Sequence, residues 1–180
     1  MPNWCQNCTT FSHDDPAEVQ RLIKAFNESR LFTEFVPCPP ALIEEVEPGD
    51  NYEERRNAKQ EANLSEYGYD GWYDWNIAHW GTKWEVNAED EITGDDPSSV
   101  TIGFDTAWSP PIAFCEAMTD MGWRIKGYYW EPGMAFCGLF DDGVDEEYAI
   151  EGNSDWVIDH IPASIDECFN ISGLMDEWEQ

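Results

Sequence analysis

Positive charge is what this sequence has least of. Nine Lys and Arg stand against 38 Asp and Glu in 180 residues, a formal net charge of −29 at pH 7. Most of the nine precede Ala88. Only Arg124 and Lys126 come later, and Gly127 to Gln180 holds neither Lys nor Arg. A surface so poor in cations repels DNA, RNA and anionic membranes, which argues against direct nucleic-acid or membrane binding. An apolar run of about 18 residues is also missing, so no membrane-spanning helix is expected. The opening "MPNWCQNCTTF" has no basic segment followed by an apolar one and does not read as a signal peptide. The expectation is a cytoplasmic protein whose six cysteines, Cys5, Cys8, Cys38, Cys115, Cys137 and Cys168, stay reduced.

Recognisable catalytic motifs are scarce as well. There is no G-x-S-x-G and no Walker loop, and none of His13, His79 and His160 sits in a nucleophile motif. Cys5-x-x-Cys8 has no second C-x-x-C to complete a zinc site. A strand through it would send the two thiols to opposite faces. A redox C-x-x-C opens a helix after a strand, whereas this pair lies inside one. "DEITGDD" and "DDGVDEE" lack EF-hand spacing and read as solvated acidic loops, as does the pairing of Asp70 with Asp74. These readings call for no cofactor, no metal and no enzyme.

What the chain does have is enough apolar material for a core, 42% hydrophobic and 14% aromatic. "NWCQNCTTFS" (3–12) predicts a strand with Cys5, Asn7, Thr9 and Phe11 on one side. Asp14 or Asp15, Pro16 and the spacing of Val19, Leu22, Ile23 and Phe26 predict a helix. "FTEFV" reads as a short strand stopped by "PCPP". Residues 41–83 read as an insertion with an exposed helix over "YEERRNAKQEANL", "WEVNAE" as a strand and "DEITGDDPSS" as a loop. Further on come a strand at 99–108, a helix at 112–122, three strands through "WRIKGYYWE", "GMAFCGLFDD" and "EEYAIEG", and a short final helix from Pro162. The sum is one α+β domain over 1–180, an antiparallel sheet with helices on one face, and an acidic C-terminal extension at about 139–180.

Four fragments belong together: "MPNWCQN", "FTEFVPCPPAL", "GYDGWYDWNIAHWGTKWE", and "FDTAWSPP" followed by "YYWEPGMAFCG". In this combination the chain resembles the Api-like family of phage and plasmid accessory proteins, over most of Met1 to Gly138. The resemblance implies a ferredoxin-like α+β fold, a home on mobile genetic elements and hence the host-cell cytoplasm. It brings no catalytic residues.

Two features compete for function. Trp72, Trp75, Trp80 and Trp84 lie around His79 and Lys83. A short helix turning at Gly81 would put several of them on one side, most simply as core packing that buttresses the insertion against the sheet. A pocket near His79 and Lys83, in a small enzyme or ligand-binding protein, is the alternative, and a structural or assembly accessory role is a third.

The other feature is the acid itself. Carboxylates at i and i+2 on a strand lie about 6.6 Å apart and at i and i+4 on a helix about 6 Å, against a charge every ~3.4 Å along a duplex strand. A rigid acidic surface therefore offers a phosphate-like field to a basic groove. The leading expectation is a non-enzymatic DNA or RNA mimic that binds a basic nucleic-acid-binding partner and inhibits a host defence such as CRISPR or restriction. The residues that would meet the partner are Glu89, Asp90, Glu91, Asp95, Asp96, Asp141, Asp142, Asp145, Glu146, Glu147, Asp155 and Asp159.

Overall fold

Six strands form one antiparallel sheet in the computed structural model, which describes residues 3–88, 92–94 and 96–178. The strands are β1 (Trp4–Ser12), β2 (Ile92–Thr93), β3 (Ser99–Ala107), β4 (Arg124–Glu131), β5 (Phe136–Asp141) and β6 (Val144–Ala149), in the spatial order β2-β3-β1-β4-β5-β6. β1 sits at the centre, pairing Cys8 with Gly103 of β3 and with Tyr128 of β4. The helices α1 (Pro16–Asn27) and α6 (Ile112–Asp120) connect β1 towards the β2–β3 pair and β3 to β4. That β-α-β-β-α-β unit with β2-β3-β1-β4 order is the expected ferredoxin-like arrangement. The meander β5–β6 extends its β4 edge.

Local chemistry explains the elements. Cys5, Asn7, Thr9 and Phe11 alternate into the sheet's first face as expected. Asn7 tolerates burial because its amide donates to the carbonyls of Cys5 (2.8 Å) and Phe104 (3.1 Å) and to Thr106 Oγ1 (2.9 Å). Asp15 caps α1 through the Ala17 N–H, Pro16 opens it, and Val19, Leu22 and Phe26 bury one stripe.

"FTEFV" is not a strand. Leu31–Phe35 is helical (α2), because only a helix places Leu31, Phe32 and Phe35 inside together; a strand would have paired Phe32 with Glu34. The Glu85 carboxylate completes α2 by accepting the N–H groups of Phe32 and Thr33, both at 2.8 Å. The same contact explains why "WEVNAE" forms no strand over residues 84–88. Glu85 is turned to α2, Val86 N–H donates to Glu85, and Ala88 N–H donates to Ser29 Oγ. The expected loop "DEITGDDPSS" supplies the short strand β2 instead, with Ile92 opposite Ile102.

The insertion carries the short helix α3 (Pro40–Ile43), the expected exposed helix α4 (Tyr52–Tyr67) and α5 (Trp72–Trp80). At the C-terminus the expected final helix is α8 (Ala163–Phe169), flanked by α7 (Ser154–His160) and α9 (Ile171–Trp178). Asn170, in left-handed conformation, separates α8 from α9, and the Asp166 carboxylate caps the latter through Ser172 N–H and Oγ.

The helical layer expected on one face covers a core of Phe11, Phe26, Phe32, Phe104, Phe114 and Met118. A second layer was not expected. The acidic C-terminal stretch folds as α7–α9 over the opposite face of β4 and β5, burying Trp130, Cys137, Val157, Ile161, Ile165 and Ile171. No helix among the described residues is long and apolar enough to cross a membrane.

Candidate functional site

The segments "HWGTKW" and "TAWSPP" hold each other. Gly81 ends α5 in left-handed conformation (φ +84), and a Cβ there would lie 2.9 Å from Ile112 N and 3.0 Å from Pro110 O. That close approach lets Ser109 Oγ donate to Gly81 O (2.6 Å) and Thr82 Oγ1 donate to Ala107 O (3.1 Å). The result brings Lys83 to Trp108. The Lys83 ammonium lies 4.4 Å from the Trp84 ring centroid and 5.3 Å from those of Trp108 and Tyr73, within cation–π range. Trp84 stacks near Trp108 (6.3 Å, 28°) and meets Trp4 at 6.2 Å.

The tryptophan-rich segment therefore divides. Trp75 and Trp80 are core, and Trp80 Nε1 donates to Val36 O at 2.8 Å. Trp84 is 39% exposed and joins Trp4 (45%), Tyr73 (41%) and Trp108 (36%) in a surface shelf around Lys83. Trp108 holds φ +68, an uncommon conformation for a bulky residue and a form of local strain that recurs at functional sites. Trp4 and Trp108 escape a reading by segments, because strand ends 104 residues apart in sequence deliver them to one place.

His79 does not join that shelf. Its ring stacks on Trp75 (4.1 Å, 9°) and its Nδ1 pairs with Trp75 O at 2.8 Å. His160 repeats the device one layer away, stacked on Trp156 at 4.5 Å with Nδ1 at 2.9 Å from Trp156 O. Both are i, i+4 staples near helix C-termini. Lys83 does line a hollow of about 230 Å³ with Trp72, Asn76, Trp80 and Glu85, but His79 is not part of its wall.

The acidic residues fall into three groups. Glu89, Asp90, Glu91 and Asp95 lie outside the described residues. A second group has internal duties. Asp96 caps its turn through Ser98 N–H and Oγ, Asp141 pairs with Lys126 (3.7 Å), Asp142 accepts the Ile125 N–H (2.6 Å), and Asp145 accepts the Tyr129 hydroxyl (2.8 Å). Glu146 accepts the Tyr148 hydroxyl at 2.9 Å. The third group, Glu147, Asp155 and Asp159, is exposed. The register places Asp145 and Glu147 on the first-face side of the edge strand β6 and Glu146 on the other. Asp155 and Asp159 stand on α7, which packs on the second face through Val157. The acids thus spread over both sides of one sheet edge.

The cysteines are all free thiols. Cys5 and Cys8 do face opposite sides: Cys5 is buried beside Thr106 and Cys8 meets Cys168 of α8. The hydrogen bond between those two thiols lowers the pKa of Cys8 and raises that of Cys168. Among the described residues no three His, Cys, Asp or Glu side chains come together as metal ligands.

Comparison with known proteins agrees with the fold. Residues 79–157 match the family model described as the ferredoxin-like domain in Api92-like protein. The match starts later than the sequence fragments suggest and runs past Gly138 through β6 into α7. Among solved structures, protein api92 from Yersinia pseudotuberculosis aligns with 84% of this chain and 100% of its own, at 12% identity and a TM-score of 0.45. No curated protein matches the chain.

Proposed function

We propose that this protein is a non-enzymatic binding protein that engages a basic, nucleic-acid-binding partner through its acidic sheet edge. The observation that carries the reading is β6. It is an edge strand whose Asp145, Glu146 and Glu147 are all exposed, in a half of the chain without Lys or Arg after Lys126. Asp145 and Glu147 share one side at a strand spacing of about 6.6 Å, close to two steps of ~3.4 Å along a nucleic-acid strand. Asp155 and Asp159, one helical turn apart on α7, repeat a charge at about 6 Å. Charges of this kind stop edge-to-edge aggregation and also draw a basic groove at fast, salt-sensitive rates.

The resemblance to phage and plasmid accessory proteins adds a purpose: interference with a host defence enzyme, of the restriction or CRISPR kind, that handles nucleic acid in the host cytoplasm. The test is capture from host lysate on the immobilised protein at low and high salt. The reading expects one basic nucleic-acid-binding protein held at low salt and released at high salt. An absence of basic partners at low salt would sink it.

The shelf around Lys83 supports a second reading, a ligand or partner contact made by Trp84, Trp108, Tyr73 and Trp4. Lys83→Ala with unchanged stability and lost binding supports it; unchanged binding removes it.

A further inference from the structure

A hollow of about 410 Å³ opens where the N-terminal end of β1 meets the C-terminal end of β4. Trp4 and Gln6 of β1, Asp105 of β3, the preceding Asn3, and Glu131 line it. Glu131 is the anomaly. It is 0% exposed, and although one carboxylate oxygen accepts the Met134 N–H across the Pro132–Gly133 turn, Oε1 has no hydrogen-bond partner. A buried carboxylate oxygen without a donor is costly and invites a positive ligand. The Lys and Arg side chains are engaged elsewhere: seven pair with Glu18, Glu28, Glu34, Glu44, Glu53 and two exposed aspartates, Arg55 donates to the carbonyls of Asp50 and Glu47, and Lys83 lies over aromatic rings. Gly133 lies tight against this wall: a Cβ there would stand 3.1 Å from Glu131 Oε1 and 2.5 Å from Asn3 Nδ2, so a larger residue would crowd the carboxylate.

The rest of the wall selects the kind of cation. Asp105 adds a second carboxylate, Asn3 and Gln6 add amide groups, and the Trp4 indole adds a π face. Acceptors spread around an aromatic ring suit a planar cation with several donors better than a compact ammonium. The set also lacks a third carboxylate, His or thiolate for a metal ion. We infer that this hollow is a guanidinium site and that its occupant is an arginine side chain of the basic partner. The inference rests on the reading of this protein as a binder of basic proteins and names the chemistry of one anchor in that contact.

The test is a nuclear magnetic resonance titration that follows the Trp4 indole N–H and the Gly133 amide. The probes are N-acetyl-arginine methylamide, its neutral isostere N-acetyl-citrulline methylamide, and agmatine. The arginine derivative should shift both signals saturably, with citrulline at least about tenfold weaker. Glu131→Gln, which keeps an acceptor for Met134, should weaken arginine by about tenfold, and Asp105→Asn should weaken it as well. Trp4→Leu should cost about threefold or more. Equal shifts from citrulline, unchanged arginine binding in Glu131→Gln and Asp105→Asn, or shifts confined to β6 and α7 would each overturn the site. Agmatine binding at least tenfold tighter than the arginine derivative would overturn the assignment to a side chain and mark a free amine ligand instead. The two proposals fail separately. Capture of a basic partner with no guanidinium shift removes this site alone, and a guanidinium shift with no basic partner removes the protein-binding reading.

Discussion

Ser109 Oγ donates to the carbonyl of Gly81 across 2.6 Å, and this bond joins two segments 28 residues apart in sequence. Around it the α5 terminus and the β3–α6 turn fit at backbone contact distance, and Lys83, Trp84 and Trp108 are positioned as a consequence.

Gly81→Ala should therefore be disproportionately damaging. The added Cβ meets backbone atoms at 2.9 and 3.0 Å and the residue must hold φ +84. A loss of about 1–3 kcal/mol in urea unfolding is expected, from the strained conformation alone. Ser109→Ala removes one bond to a carbonyl and should cost about 1 kcal/mol. Equal, near-zero effects would mean that the two segments are not mutually dependent.

Much of this fold was legible in the chain, and the failures share a cause. Alternation at Trp4–Ser12 and helical spacing at Val19–Phe26 gave β1 and α1 correctly, because each buries one face against one neighbour. "FTEFV" and "WEVNAE" failed together because Glu85 caps the helix that begins at Leu31, a contact across more than 50 residues. The second helical layer was hidden by its acidity: a few apolar positions, Val157, Ile161, Ile165 and Ile171, suffice to seat α7–α9 on β4 and β5. Of the site, the acids could be named but not distributed. Glu131 gave no signal, since a Glu before Pro-Gly reads as an ordinary turn until its burial is seen.

Stability should depend on pH through Asp145. Asp145 is an exposed residue whose carboxyl end is partly desolvated beside Tyr129; that desolvation raises its pKa above the usual range, and the Tyr129 hydroxyl bond offsets part of it. A raised folded pKa means that the native state binds the proton more tightly than the unfolded chain. That contribution is fully present below the unfolded value near 3.9 and is lost as pH rises through the folded value. Asp145→Asn keeps an acceptor for Tyr129 and should flatten the decline in urea stability as pH rises from about 4 to 7. A decline as steep as in the wild type would contradict the assignment. Glu85, raised chiefly by burial, contributes with the same sign.

Thiol reactivity should be uneven. Burial pushes Cys115 and Cys137 up to about 12 and Cys38 to about 11, while the Cys168 hydrogen bond lowers Cys8. Limiting iodoacetamide at neutral pH should label Cys8 first in peptide maps, and Cys168→Ala should slow that labelling. Modification of Cys38 or Cys168 ahead of Cys8 would contradict this.

The shelf residues should separate binding from folding. Trp84 and Trp108 are over one-third exposed, so Trp84→Ala should cost no more than about 1 kcal/mol of stability. If the shelf contacts a partner, the same change should weaken capture by about 2 kcal/mol, the scale of an interface hot spot. Loss of stability without loss of capture would make the shelf a structural feature only.

The most direct test of the acidic-edge account is competition in salt. The partner retained from host lysate should be displaced by duplex DNA or RNA, and its affinity should fall linearly in log–log terms as salt rises. The triple variant Glu147→Gln, Asp155→Asn, Asp159→Asn spares the carboxylates that hold internal hydrogen bonds, Asp96, Asp142, Asp145 and Glu146, so its fold should persist while the salt slope shrinks and capture weakens. Capture that is indifferent to nucleic acid and unchanged in the triple variant would contradict the account.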